Sequence, residues 1–87
     1  MKISVYDTYV PLKSGKTMHF DILVNENTTV DKVYSYGNTY LKSKEIDNYK
    51  LTMKECQFCH IEKASESLER EILEKDFYII EMENCHF

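Results

Sequence analysis

Cys56-x-x-Cys59-His60 and Cys85-His86 gather all three cysteines and two of the three histidines into two short segments. Cys-x-x-Cys spacing lets a backbone aim two thiols at one point, and metal ligation, dithiol redox chemistry and haem attachment all use it. Zinc takes four tetrahedral ligands, and Cys56, Cys59 and Cys85 with His60 or His86 would supply a Cys₃His set. That closure requires the last strand to end beside segment 56–60. The second half is incomplete as a zinc knuckle, because adjacent Cys85 and His86 are poorly placed to ligate one ion together. The alternative is three reduced cysteines packed as small hydrophobes. A redox pair wants its motif at a helix N-terminus, where the dipole lowers a thiol pKa. Here the next helix starts only after Ser65. Haem attachment needs export, an axial ligand and a chain that wraps the porphyrin; no signal-peptide pattern is present, and a compact two-layer domain leaves little room for the macrocycle.

A second group of polar residues lies near the N-terminus. His19 and Asp21 are two apart in an alternating run, so their side chains share a strand face. Pairing Val10 with Thr17 sets Thr8 opposite His19 and Tyr6 opposite Asp21. Such a patch could bind a polar ligand or shuttle a proton. The same register leaves Asp7 in an apolar row with Ile3, Val5 and Tyr9, and exceptions of this kind fall at functional or strained positions. Asp7, His19 and Asp21 are therefore the catalytic candidates. A bulge that turns Asp7 outward, or simple pairing of His19 with Asp21, would account for them without function. No nucleophile stands poised against a base. With two glycines there is no phosphate-cradling loop.

The elements that must carry these residues follow from pattern. Ile3 to Val10 is strand-like and stops at Pro11. Pro11 to Lys16 is a turn cluster, and Thr17 to Val24 resumes with one apolar face, which predicts a hairpin. Thr28 can cap a helix with Asp31 in its first turn, and Val30, Val33, Tyr34, Gly37, Tyr40 and Leu41 form its stripe. Gly37 costs about 1 kcal/mol of helix propensity against alanine, so it is expected to permit close packing on the sheet. Tyr49, Leu51 and Met53 alternate with Lys50, Thr52 and Lys54, which reads as an edge strand. Cys56 to Ile61 has no clear period and reads as a loop. Ser65 can cap a second helix reaching Lys75. Phe77 to Met82 is a last strand whose continuous apolar character predicts a central position. The order is ββαβαβ, a two-layer α+β sandwich with a mainly antiparallel sheet of four strands and two helices.

The totals narrow the classes. Eighty-seven residues make one domain, 1–87, with a thin core that a metal staple would usefully supplement. The hydrophobic fraction of 43% argues against disorder. Fifteen acids against eleven bases, with the bases dispersed, make nucleic acid a poor partner. The N-terminus shows no signal-peptide pattern, and no run approaches the ~20 apolar residues of a membrane span. A cytoplasmic location with reduced thiols is the expectation.

The run Asp7-Thr8-Tyr9-Val10, then Met18-His19-Phe20-Asp21-Ile22-Leu23-Val24, Cys56-Gln57-Phe58-Cys59-His60, and Tyr78-Ile79-Ile80-Glu81-Met82 with Cys85 resembles the DUF2024 family. This is a small bacterial family of unknown function, and the likeness runs from end to end. It implies a compact single-domain α+β fold, and it supplies no activity, cofactor or site.

Three functional readings follow. The first is a small non-catalytic interaction or accessory protein, monomer or homodimer, whose partner is an unidentified protein or small molecule. No cofactor belongs to it. The second is a zinc protein using Cys56, Cys59, Cys85 and His60. The third is a small enzyme or ligand binder working from Asp7, His19 and Asp21.

Overall fold

The computed structural model describes residues 1–46 and 49–86. The order predicted from pattern holds: β1 (Lys2–Pro11), β2 (Thr17–Asn25), α1 (Val30–Ser43), β3 (Cys56–Lys63), α2 (Glu66–Lys75) and β4 (Phe77–Glu83). The strands form one antiparallel sheet in the order β3-β1-β2-β4. Among the described residues, no helix is long and apolar enough to cross a membrane.

The hairpin of β1 and β2 is the centre of the sheet. Leu12 N–H donates to Lys16 O (2.8 Å), so Lys13, Ser14 and Gly15 reverse the chain, with Gly15 at φ 92°. A three-residue loop with glycine in the left-handed region is a standard hairpin solution. It brings Pro11 opposite Thr17, one residue away from the expected Val10–Thr17 pairing. Because side chains alternate with a period of two, that single step changes which residues share a face.

Tyr6, Val10, Met18, Phe20, Ile22 and Val24 point to one face and pack with Val33 and Leu41 of α1. Ile3, Val5 and Leu23 point to the other face and pack with Ile72 of α2. The second helix thus adds a partial third layer to the expected two-layer sandwich. It starts just past Lys63, which pairs with Lys2, and ends just before Phe77, which pairs with Val24. Both of its ends therefore lie at the Lys2 end of the sheet. Ten residues at 1.5 Å rise span about 15 Å, roughly the width of the four strands at ~4.8 Å spacing. It crosses that end and leaves the rest of its face open.

Three expectations are corrected. Residues 49–54 are not a strand. Leu51 N–H bonds Asn38 Oδ1 (2.9 Å), and Thr52 closes a turn in which the Glu55 and Cys56 amides donate to its carbonyl. The third strand is instead Cys56–Lys63, the segment read as a loop. Its lack of period has a physical source: a bulge between Phe58 and His60 shifts the phase of alternation midway. Finally, β4 is an edge strand. Phe77 and Ile79 pack toward α1, whereas Tyr78, Ile80 and Met82 stay exposed. The first helix also starts one residue later than expected, with Thr29 at its N-cap. Ser65 caps α2 as predicted, its hydroxyl accepting from Leu68 N–H.

Gly37 does allow close approach. A Cβ there would lie 2.3 Å from Leu51 Cδ1 and 2.8 Å from Ile22 Cδ1, both in the core. Overpacking of this kind costs ~1–3 kcal/mol, which outweighs the ~1 kcal/mol of helix propensity that alanine would restore. Gly37→Ala should therefore lower unfolding stability by about 1 kcal/mol in urea titration, and Gly37→Val by more. A more stable alanine variant would show that Leu51 swings clear.

Candidate functional site

The strand geometry takes the cysteine motif apart. Cys56 lies opposite Thr8 on the α1 face, 2% exposed, and burial pushes its thiol pKa up. Cys59 is exposed and belongs to the opposite face, beside Asp7. Cys85 is buried past the end of β4, where its thiol donates to the carbonyls of His19 and Glu83 (3.3 Å each). The β2 backbone that holds Cys85 is two strand spacings from β3, roughly 10 Å. Sulfurs bound to one zinc lie about 3.8 Å apart. The set Cys56, Cys59, His60 and Cys85 is therefore not brought together, which corrects the zinc reading of that motif. The same split removes a Cys56–Cys59 redox pair. His86 is exposed at the β4 edge, with Nε2 3.5 Å from Glu81 Oε1.

The register of the hairpin assembles the other group. Tyr9 lies opposite His19 and Asp7 opposite Asp21, so all four share the face that α2 leaves open. Tyr6 and Thr8, expected beside His19 and Asp21, point into the core instead. The imidazole of His19 stacks on the Tyr9 ring at 4.2 Å between centroids and 10° between planes. Its Nε2 is 3.7 Å from Asp7 Oδ1 and 3.7 Å from Asp21 Oδ1. Among the described residues, these three side chains are the one group whose donor atoms converge, all within 4.8 Å. His19 Nε2 and Asp21 Oδ1 are both shielded from solvent and have no hydrogen-bond partner.

Two carboxyls facing each other across a strand pair would repel if both ionised. They divide the load. Burial, then the hydrogen bond and charge of Asp7, push the Asp21 carboxyl up to about 6, against the opposing pull of His19 and His60. Asp7 is held below its ordinary value, first by the hydrogen bond from Asp21 and then by Cys59 and His19. The two carboxyls thus titrate as a pair, Asp7 the stronger acid and Asp21 the weaker, beside the His19 ring.

Sequence reasoning missed the contact between Cys59 and its neighbour. Cys59 Sγ is 3.2 Å from His60 Nδ1, and His60 Nε2 is 3.5 Å from Glu62 Oε1. The signal was present in the adjacency of the two residues, but regular alternation would place them on opposite faces. The bulge sets both on the Asp7 side. A hollow of about 420 Å³ opens there, lined by Asp7, Tyr9, Gln57 and Cys59 among others. A larger hollow, about 550 Å³, lies by the hairpin loop at Leu12, Lys13 and Ile46 and contains none of the cluster.

Comparison with known proteins adds identity of fold without chemistry. The profile described as a domain of unknown function, DUF2024, matches residues 1–82. The NMR structure of protein NE1680 from Nitrosomonas europaea is 36% identical, covering 99% of this chain and 100% of that one, with a TM-score of 0.85. No curated protein matches.

The raised Asp21 pKa has a stability consequence with a definite sign. Well below pH 4 the carboxyl is protonated whether the chain is folded or unfolded, and its burial is harmless. As pH rises toward 6, the unfolded chain gains from ionising and the folded chain does not, so stability falls. Asp21→Asn should flatten that fall, gaining about 1 kcal/mol at pH 7 and nothing near pH 3.5. Two full pKa units would be worth ~3 kcal/mol, but water at the sheet surface screens the effect. Denaturation at the two pH values checks it, and an equal gain at both would assign the effect to packing.

Proposed function

The chain belongs to the DUF2024 family, whose function is not known, so function has to be read from the site, and we propose that this domain binds a divalent first-row cation of the zinc class through Asp7, His19 and Asp21. The observation that carries the reading is the 3.7 Å spacing of His19 Nε2 from both carboxylates, with Nε2 and Asp21 Oδ1 otherwise partnerless. Separations of 3.7 Å are too long for hydrogen bonds. They are close to the ~3.3–3.6 Å that separates donors around a tetrahedral cation with bonds of ~2.0–2.2 Å. The type of donor fits as well: imidazole nitrogen and carboxylate oxygen are both common zinc ligands.

The surroundings support the same reading. All three ligands stand on the two central strands, the most rigid part of the sheet, and His19 is steadied by Tyr9. A cation would offset the repulsion between the two carboxylates. Three protein ligands leave a fourth position for a further donor, from the protein or from solvent. The position faces the open part of the sheet, beside the hollow at Asp7 and Tyr9. A purely structural accessory role gives no account of two shielded polar atoms without partners.

Titration of metal-free, tag-free protein with Zn²⁺ should give one site per chain. A hundredfold excess of free metal over Kd should stabilise the fold by ~2.7 kcal/mol. His19→Ala and Asp7→Asn should each abolish that stabilisation while the apo proteins still melt cooperatively. Cys56→Ser should retain binding. Loss of the zinc with Cys56→Ser, or no binding to the wild type, would sink the proposal.

A further inference from the structure

We propose that Cys59 is a fourth ligand of this site, so that the cation is held by an Asp/His/Asp/Cys set and soft, thiophilic ions are selected over Mg²⁺ and Ca²⁺. The inference rests on the metal reading above and deepens it. Its starting point is the register of β3 against β1, in which Tyr6 faces Phe58 and Val5 faces His60, with Cys59 the extra residue between them. Without that extra residue, Cys59 and His60 would lie on opposite faces of the sheet. With it, both turn toward the Asp7 face. Bulges re-aim side chains in this way and are frequent beside active sites.

Two features place the Cys59 thiol beside Asp7. The Asp7 carboxylate raises the pKa of that thiol, and Cys59 lines the same hollow as Asp7 and Tyr9. It is exposed, so rotation about its side-chain bonds meets no packed core. Cys56, three residues earlier, is held at 2% exposure in the opposite layer and is out of reach.

The chemistry balances. On ligation the Cys59 S–H bond would break and a sulfur–metal bond form, the proton leaving to solvent at the exposed thiol, and no oxidant or reductant is needed. His60 Nδ1 lies 3.2 Å from that sulfur, with Glu62 Oε1 3.5 Å from His60 Nε2. Two carboxylates and an imidazole alone would accept hard and borderline ions alike. A thiolate tips the preference toward zinc, cobalt and their neighbours.

Cobalt(II) tests the inference, because thiolate ligation produces an intense near-ultraviolet charge-transfer band that oxygen and nitrogen ligands do not. Full-length apo protein loaded with Co²⁺ should show the band. Cys59→Ser and Cys59→Ala should both lose it and bind Zn²⁺ at least ~10-fold more weakly. Cys56→Ser should keep it. Cobalt retained on dialysis without the band would overturn Cys59 as a ligand while leaving the three-residue site standing. A band that disappears with Cys56→Ser or Cys85→Ser would also overturn it. Failure of the wild type to retain any cobalt would remove the metal reading and this inference together.

Discussion

One backbone pairing governs this molecule: Pro11 against Thr17 at the top of the central hairpin. A strand cannot choose its faces residue by residue, because the alternation is rigid and a slip of one position inverts all of it. With this register, Met18, Phe20, Ile22 and Val24 go under α1, and every one of them reaches 0% exposure. The same constraint sends Asp7, Tyr9, His19 and Asp21 to the other side. The core and the site are two consequences of a single choice. The loop that makes the choice depends on Gly15 at positive φ, where a side chain would be strained.

The arrangement on the open face is expensive for a sheet. Like charges directly opposite each other weaken a strand pair, and shielded polar atoms without partners weaken it further. A domain of 87 residues has little stability to spare. The compensation comes from the layer beneath. Thr8, Phe20 and Ile22 are fully buried on the helix side of the same stretch of strand. Tyr40, packed at a tilt against Phe20, adds a hydrogen bond to Glu81, which also pairs with Lys44 at 3.0 Å. These contacts anchor α1 to the edge strand β4. Costly groups on one face are thus tolerated because the opposite face is packed to completion.

Much of the fold was legible in the chain because hydrophobic period is a strong signal where one face is buried. Met18, Phe20, Ile22 and Val24 announced β2, and Ser65 announced α2. The errors arose where the signal came from something other than burial. Leu51 alternated with lysines because it plugs the space under Gly37, so a turn imitated a strand. Segment 56–63 lacked a period because both sides of an edge strand are largely exposed and a bulge changes its phase. Phe77 and Ile79 face a helix while Tyr78 and Ile80 face solvent, so an edge strand read as a central one. For the candidate site, Asp7, His19 and Asp21 stood out in the chain, but the expected register set Thr8 and Tyr6 opposite His19 and Asp21, where the structure has Tyr9 and Asp7. Their register depended on a loop whose length offered two alignments one residue apart.

The cysteine motif shows why spacing is meaningful only with the backbone that carries it. Two positions three apart converge on a helix or in a tight knuckle, where the chain turns back on itself. On an extended strand the same two positions lie on opposite faces and roughly 10 Å apart along the chain. Cys56 and Cys59 have accordingly parted: one is a core residue facing Thr8, the other a surface thiol beside Asp7. Neither has the other as a chemical partner. What gives Cys59 chemical company is the central hairpin, because Gln57, two residues earlier on the same face, pairs with Asp7, and the bulge then adds His60 to that face. A perfectly regular β3 would pair more smoothly with β1. It would also lack two side chains, Cys59 and His60, turned to the same face within reach of the carboxylates.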